Sequence, residues 1–163
     1  MSVVDMAKRI KDVHKSHVAI FKLGSFCKVF GKDAYVISSI FKYKVQMVDK
    51  NVAMSKFEIR KLNYAKKRLE AEKISYMILE PRNGYDVEKK IDFEESNMYE
   101  QKLIYGYSLN KRRNNISKVN KELVYFIDKP NFRKVIKEIL LVCEKNKEDS
   151  KEECKKEDIV NSE

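Results

Sequence analysis

The first 80 residues alternate between helix-like and strand-like patterns of apolar positions. Spacings of three and four predict an amphipathic helix over residues 3–17 after a Ser2 cap, with a stripe of Val3, Met6, Ile10, Val13 and His17. Residues 18–23 and 26–30 are apolar or alternating, and Gly24-Ser25 separates them, which predicts a hairpin or a bent strand pair. Residues 74–79 are the clearest buried strand, and a weak strand at residues 85–87 is predicted to pair back on it after a turn.

The segment between the hairpin and residue 74 mixes both periods. Asp33 suits a first helical turn, and a short helix is predicted there from the spacing of Ala34, Ile37, Ile40 and Phe41. Residues 43–48 and 51–54 are predicted strands. The run Ser55-Lys56-Phe57-Glu58 matches a capping box, which predicts that a helix begins at this point. Its buried face would consist of Ile59, Leu62, Ala65 and Leu69.

From about Met98 the pattern is helical, and Pro130 predicts a break between two helices because proline is tolerated in a first turn but not in mid-helix. The fold class predicted from this order is α/β, a mixed β-sheet flanked by helices with a C-terminal helical extension. The predicted divisions are an α/β domain at 1–95, the helical extension at 96–147, and an acidic, disordered tail at 148–163.

The net charge of +10 is unevenly distributed over the 163 residues. Residues 1–80 carry 17 basic against 8 acidic side chains, whereas residues 148–163 carry 3 against 7. A basic body favours a polyanionic partner. A lysine-rich surface that only keeps the protein in solution is the alternative that charge leaves open.

Cysteine usage and the absence of long apolar runs indicate a cytoplasmic protein. The three cysteines are odd in number and lack CxxC spacing, which argues against a secreted disulfide framework or a zinc ribbon. No signal-peptide pattern and no membrane-length apolar run is present.

Signals for catalysis or a cofactor are weak. Gly31-Lys32 is followed by Asp33, so the phosphate-loop pattern is not met. His14 and His17 have no nearby third ligand in sequence, and Cys27 has no base placed beside it. Acidic residues at the predicted element ends, Asp49, Glu58, Glu80 and Asp86, are explained by capping and solvation. The chain is therefore predicted to be non-enzymatic, with no cofactor or metal.

Phe26 is the most informative single residue. It follows Gly24-Ser25 at a predicted turn and is flanked by Lys22, Lys28 and Lys32, so the ring could stack on bases while the cations hold phosphates. The alternative interpretation is a core aromatic that is packed beneath the hairpin. Local pattern leaves both interpretations open.

Residues 20–34, IFKLGSFCKVFGKDA, resemble the N-terminal mismatch-recognition domain, domain I, of the MutS family of DNA mismatch repair. That family reads approximately L-F-x-x-G-D-F-Y-E-x-F, followed after a few residues by D-A and a helix. The resemblance covers about residues 16–90, and only its first block is specific; the helices after Met98 have no evident counterpart.

The resemblance implies a mixed sheet that approaches duplex DNA from the minor groove, with Phe26 as the aromatic wedge that stacks on a base. The family's Glu, two residues after the Phe, accepts a hydrogen bond from the disturbed base. Lys28 stands at that position, and an ammonium cannot accept a hydrogen bond. Cys27 replaces the motif's Tyr and Ser25 its Asp.

The first functional hypothesis is a non-enzymatic DNA-binding domain whose partner is double-stranded DNA. Its predicted contact residues are Phe26, Ser25, Lys28, Lys22, Lys32 and Lys56. Two alternatives stay open. One is a protein-interaction module that uses the helices between Met98 and Lys147, and the other is binding of single-stranded nucleic acid or RNA.

Overall fold

The hairpin at residues 18–30 forms the centre of the sheet because its strands combine β-branched and aromatic residues with alternating burial. The computed structural model describes residues 2–48, 51–80, 86–93, 97–125 and 127–143. The strands are β1 (Val18–Leu23), β2 (Phe26–Phe30), β3 (Gln46–Val48), β4 (Val52–Glu58), β5 (Tyr76–Glu80) and β6 (Asp86–Ile91).

These strands form one mixed sheet in the order β3-β4-β2-β1-β5-β6. Only β1 and β5 are parallel, with Ile20 opposite Ile78, and every other neighbouring pair is antiparallel. The predicted mixed sheet is confirmed, and the weak strand near residue 85 is confirmed as β6 paired with β5. The turn predicted at Pro81 and Asn83-Gly84 lies outside the described residues.

The helices are α1 (Val3–Val13), α2 (Lys32–Phe41), α3 (Leu62–Ala71), α4 (Met98–Tyr125) and α5 (residues 132–143). The break predicted around Pro130 is confirmed between α4 and α5. The chain divides into two compact units, Met1–Asn114 and Asn115–Glu163. The predicted boundary after residue 95 and the predicted disordered tail at 148–163 both fall on residues outside the described part of the chain.

Helix α1 begins as predicted but ends before His17. The Ser2 hydroxyl accepts from the Asp5 amide at 3.1 Å and the Asp5 carboxylate accepts from the Ser2 amide, which is a complete capping box. Val13 is the last helical residue. Lys11 Nζ then donates to the His17 carbonyl oxygen at 2.8 Å, which fixes the turn that leads into β1.

The helix start predicted at Ser55 is wrong, because residues 55–58 belong to β4. Ser55 pairs with Val29 and Phe57 pairs with Cys27 in the β2–β4 ladder. Burial of Phe57 in the core and the ladder hydrogen bonds outweigh the local capping signal. A 3₁₀ turn (Ile59–Lys61) follows, and α3 begins at Leu62.

The two faces of the sheet are covered unequally. One face, here called the helix-covered face, packs against α2, α3 and the start of α4, and buries Val18, Ile20, Cys27 and Val29. On the other face, here called the α1 face, Ala7 of the single helix α1 packs over Ala19, Phe21, Met77 and Leu79. Since α1 has only 11 residues, it covers the β1–β5 side of this face. It does not extend over the ends of β2 and β4 at which Phe26 pairs with Glu58.

Asp33 joins four elements through one buried carboxylate. The side chain lies at the first turn of α2 and is 2% exposed. Its Oδ2 accepts from the Ala19 amide of β1 at 2.9 Å, and its Oδ1 accepts from the Tyr99 hydroxyl of α4 at 2.5 Å. Lys11 of α1 forms an ion pair with the same Oδ1. Burial raises the pKa of the Asp33 carboxyl, and the Lys11 charge and these hydrogen bonds oppose that rise.

The first part of α4 is held against α2 by close approach and by polar contacts. A Cβ at the buried Gly106 would lie 2.2 Å from the carbonyl oxygen of Tyr35, so a larger residue does not fit. Arg113 Nη2 donates to the Lys42 carbonyl oxygen at 2.9 Å, and Asn110 Nδ2 donates to the Ser38 hydroxyl at 3.1 Å. Arg113 therefore satisfies a carbonyl at the C-terminal end of α2, where a cation is favourable.

Replacing Asp33 should destabilise the first unit strongly. Asp33→Ala removes the acceptor for three donors and leaves the Lys11 charge without its partner, which should lower the free energy of unfolding by about 3–5 kcal/mol. Urea unfolding followed by circular dichroism measures this change. Asp12→Ala, an exposed position on α1, serves as the control and should change stability by less than about 0.5 kcal/mol. Equal stability of the two variants would contradict the role given to Asp33.

A methyl group at Gly106 should separate α4 from α2. Gly106→Ala raises helix propensity, yet the clash with the Tyr35 carbonyl should reduce stability by about 2 kcal/mol or more. Asn114→Ala in the same helix, at an exposed position, is the matched control and should be neutral or slightly stabilising. Thermal unfolding of both variants gives the comparison, and a stabilised Gly106→Ala protein would show that the contact is not tight.

Candidate nucleic-acid interface

A two-residue turn brings Phe26 to the tip of the β1–β2 hairpin. Leu23 pairs directly with Phe26, so Gly24 and Ser25 are the two central residues. Gly24 has φ +61°, and no neighbouring atom lies within 4 Å of the position of a Cβ. The backbone conformation, rather than a lack of space, therefore favours glycine here, as in type II′ hairpin turns. Ser25 is exposed at the tip.

Phe26 projects from a part of the α1 face that no described helix covers. Alternation along β2 buries Cys27 and Val29 on the helix-covered face and puts Phe26, Lys28 and Phe30 on the opposite one. The Phe26 side chain is 39% exposed, whereas Phe21 on the neighbouring strand is fully buried. The interpretation of Phe26 as a core aromatic is therefore wrong, and its ring is accessible to a ligand.

Two lysines stand beside the Phe26 ring. Lys28 of β2 and Lys56 of β4 are directly opposite each other in the ladder, and Lys56 Nζ lies 5.4 Å from the ring centroid of Phe26. Neither lysine has an ion-pair partner among the described residues. Because like charges in directly opposed positions destabilise a sheet, the pairing of these two lysines does not stabilise the β2–β4 ladder, and their charge suits an anionic ligand.

A carboxylate that sequence reasoning did not assign to this site lies next to Phe26. Glu58 pairs with Phe26 across the β2–β4 ladder and forms an ion pair with Arg60 of the 3₁₀ turn. Sequence reasoning missed this position because it gave Glu58 to a helix cap. In the sequence, Ala53, Ser55 and Phe57 are small or apolar, whereas Lys56 and Glu58 are charged. This alternation was the signal that could have identified the strand.

The structure does not bring Lys22 and Lys32 to the Phe26 surface. Lys22 pairs with Cys27 in the ladder, and its Nζ contacts Glu88 at 2.7 Å and Glu80 at 3.0 Å. The hydrogen bonds to these two carboxylates raise the pKa of Lys22. Lys32 lies beyond the opposite end of β2, at the start of α2, and lines a cleft of about 280 Å³ with Lys8 and Lys11.

The residues weighed for catalysis are occupied in other ways. Burial is the main cause that raises the pKa of the Cys27 thiol to about 11, so little thiolate forms near neutral pH. Glu80 is paired with Lys22. His17 Nε2 lies 2.5 Å from Asp92 Oδ1, and this hydrogen bond lowers the pKa of Asp92. Within the described residues, no three His, Cys, Asp or Glu side chains are grouped as metal ligands.

Comparison with protein families matches the region that carries these features. The family model described as MutS domain I matches residues 3–108, which is 106 of the 163 residues. The chain belongs to the MutS domain I family. No curated protein matches the chain. Among the described residues, no helix is long and apolar enough to cross a membrane.

The MutS domain I match extends further than the resemblance seen in the sequence. It includes α1 and the first turns of α4, whereas the sequence resemblance covered about residues 16–90 and found no counterpart after Met98. The prediction that the helices after Met98 have no counterpart in the domain is therefore wrong up to residue 108. Gly106 between two tyrosines was the local signal of a close helix contact.

The buried Cys27 should be chemically inert in the folded protein. With a pKa of about 11 and a fully buried side chain, Cys27 should react with a thiol reagent at pH 7.5 at least about 100-fold more slowly than the exposed Cys143. Mass spectrometry of alkylated peptides measures both rates in one sample. Rapid labelling of Cys27 without unfolding would contradict its burial and reopen a nucleophilic role.

Proposed function

We propose that this MutS domain I protein is a cytoplasmic, non-enzymatic DNA-binding domain in which Phe26 stacks on a base of double-stranded DNA. The observation that carries the proposal is the Phe26 ring, 39% exposed at the hairpin tip on a part of the sheet that no described helix covers. Aromatic insertion between base steps is a known way to bind DNA from the minor groove, where the bend increases the wrapped surface. The family membership supports the same approach.

Lys28 and Lys56 are proposed as the principal phosphate contacts. Both share the α1 face with Phe26, and both lack an ion-pair partner among the described residues. The Ser25 hydroxyl at the tip is a further hydrogen-bond partner for the DNA backbone. Lys22 and Lys32 stay predicted contacts, with a smaller expected contribution from Lys22 because two carboxylates already hold its charge.

Lys28 removes the hydrogen-bond acceptor that the family uses to recognise a mismatched base. An ammonium donates hydrogen bonds to phosphates and groove acceptors but accepts none from a base edge. The proposed activity is therefore DNA contact with base stacking, without the hydrogen bond that the family's Glu provides. We therefore expect the protein to bind mismatched and perfectly paired DNA with similar affinity.

A protein-interaction function is the second candidate, and exposed apolar residues in the second unit favour it. Val119 and Leu123 of α4 and Val135 and Ile139 of α5 line one apolar groove. Further side chains on these two helices are more than half exposed: Ile116, Val124, Tyr125, Leu140, Leu141 and Val142. Exposed apolar side chains in this number, together with an apolar groove, are typical of protein contacts.

Truncating Phe26 should weaken DNA binding while the fold is kept. Loss of one base–aromatic stack corresponds to an increase of about 5- to 150-fold in Kd. Fluorescence anisotropy with homoduplex, mismatched and bulged 20-base-pair probes measures the affinities. Lys28→Gln and Lys56→Gln should each reduce the dependence of log K on log salt by about 0.9, the value for one phosphate contact.

The control is Met47→Ala, which removes a more exposed apolar side chain from the helix-covered side of the edge strand β3. It should leave every DNA affinity within about twofold of wild type. No binding of the wild-type protein to any probe at low salt would refute the DNA-binding proposal. A silent Phe26→Ala, combined with protein capture that depends on Leu140 and Leu141, would favour the second candidate.

A further inference from the structure

A second group of aromatic and cationic residues lies around the ends of α2 and α3. Three rings form a near-parallel stack from the core outward: Phe57 to Tyr43 at 5.7 Å and 21°, then Tyr43 to Phe41 at 5.5 Å and 14°. Phe57 is buried, whereas Tyr43 and Phe41 are half-buried. This stack provides a firmly packed base for any side chain that rests on it.

Tyr64 rests on this stack and faces solvent. Its ring meets Phe41 edge to face with centroids 6.0 Å apart, yet the side chain is 57% exposed. Buried positions on α3 are Leu62, Ala65 and Leu69, so Tyr64 is on the outer side of the helix. An aromatic that packs against a neighbouring ring and still exposes more than half of its surface loses little conformational entropy when it stacks on a planar ligand.

Cations flank the Tyr64 ring on the helix surface. Lys61 and Lys67 lie three residues before and after Tyr64, which brings them to the same side of the helix, and both are exposed. Lys61 Nζ also lies 5.9 Å from the ring centroid of Tyr43. Neither Lys61 nor Lys67 forms an ion pair with any residue in the described ranges. The charge and the rings together suit a ligand with alternating bases and phosphates.

The 3₁₀ turn connects this group with the Phe26 surface. The Ile59 amide donates to the Ser25 carbonyl oxygen at 3.0 Å, so the turn lies against the hairpin tip. Glu58 is the partner of Phe26 across the ladder, and Tyr64 follows it six positions later in the chain. At ordinary rises per residue in strand and helix, the Phe26 and Tyr64 backbones are within roughly 20 Å of each other.

We propose that Tyr64, with Lys61 and Lys67, is a second stacking site that binds an unpaired nucleotide strand next to the duplex engaged by Phe26. The ring would stack on one exposed base, and the two ammonium groups would hold the phosphates on either side. This inference rests on the proposed function only in assuming that Phe26 contacts a duplex. The site itself depends on Tyr64 and its neighbours and can be measured separately.

The experiment compares blunt duplex DNA with the same duplex carrying a single-stranded overhang. Even at the duplex rise of about 3.4 Å per nucleotide, six nucleotides reach about 20 Å, the estimated separation of the Phe26 and Tyr64 backbones. The probes are therefore 20-base-pair duplexes with (dT)₆ or (rU)₆ overhangs at either end. The wild-type protein should bind the better overhang probe at least about 5-fold more tightly than the blunt probe. A gain with dT or with rU supports the site, and the larger gain identifies the strand.

Tyr64→Ala should remove the overhang gain and leave the blunt-duplex affinity within about twofold, whereas Tyr64→Phe should keep the gain because the ring remains. Lys61→Gln and Lys67→Gln should lower the salt dependence on the overhang probe by about 0.7 each, the single-strand value. Tyr125→Ala, which removes a more exposed tyrosine from the second unit, is the matched control and should change neither affinity.

Three outcomes would overturn the inference: a wild-type protein with no preference for any overhang, an equal loss on blunt and overhang probes in Tyr64→Ala, or displacement of the overhang by polyglutamate as effective as by (dT)₁₂. The last result would mean that any polyanion binds and that stacking is absent. Failure of the proposed function gives a different result, because Phe26→Ala would then be silent on the blunt duplex whatever Tyr64→Ala does on the overhang.

Discussion

The buried Asp33 carboxylate is the interaction on which the arrangement of the first unit depends. An ionised carboxylate away from water is tolerated only with a cation and hydrogen-bond donors, and here these come from Lys11 of α1, the Ala19 amide of β1 and the Tyr99 hydroxyl of α4. These contacts tie helices from both faces of the sheet to the start of α2. They also hold α1 over the β1–β5 side of its face, and in that position α1 leaves the Phe26 end of β2 without cover from any described helix.

The uncovered end of the sheet and the adjoining 3₁₀ turn bring together the features that suit nucleic acid. Phe26 opens onto one side with Lys28 and Lys56, and Tyr64 opens onto the other with Lys61 and Lys67. The hydrogen bond between Ile59 and Ser25 keeps the two groups next to each other. In the arrangement proposed above, the unpaired strand would continue from a duplex on the first group to the second.

The positive charge of the chain divides into cations that serve the fold and cations that are available to a ligand. Three cations already have partners within the fold. Lys11 pairs with Asp33, and Lys22 pairs with Glu80 and Glu88. Arg113 donates to a carbonyl at the end of α2. In contrast, Lys28 and Lys56 face each other across the β2–β4 ladder, and neither has an ion-pair partner among the described residues. Net charge thus favours a polyanionic partner, whereas only the ion-pair pattern indicates which surface would meet it.

The sequence by itself determined the hairpin, the order of helices and strands, the mixed sheet and the family, because these depend on local periodicity, on Gly24 at a turn that needs positive φ, and on a contiguous motif. Tertiary structure decided the rest. Residues 55–58 form a strand because the ladder with β2 and the burial of Phe57 outweigh the local capping signal. Helix α4 packs closely against α2 because Gly106, which has no Cβ, leaves room for the Tyr35 carbonyl. Phe26 is exposed rather than buried because an 11-residue helix, tied to Asp33 through Lys11, does not extend over the hairpin tip. The exposure of a side chain and its ion pairs depend on residues that are distant in the sequence, so the local pattern cannot predict them.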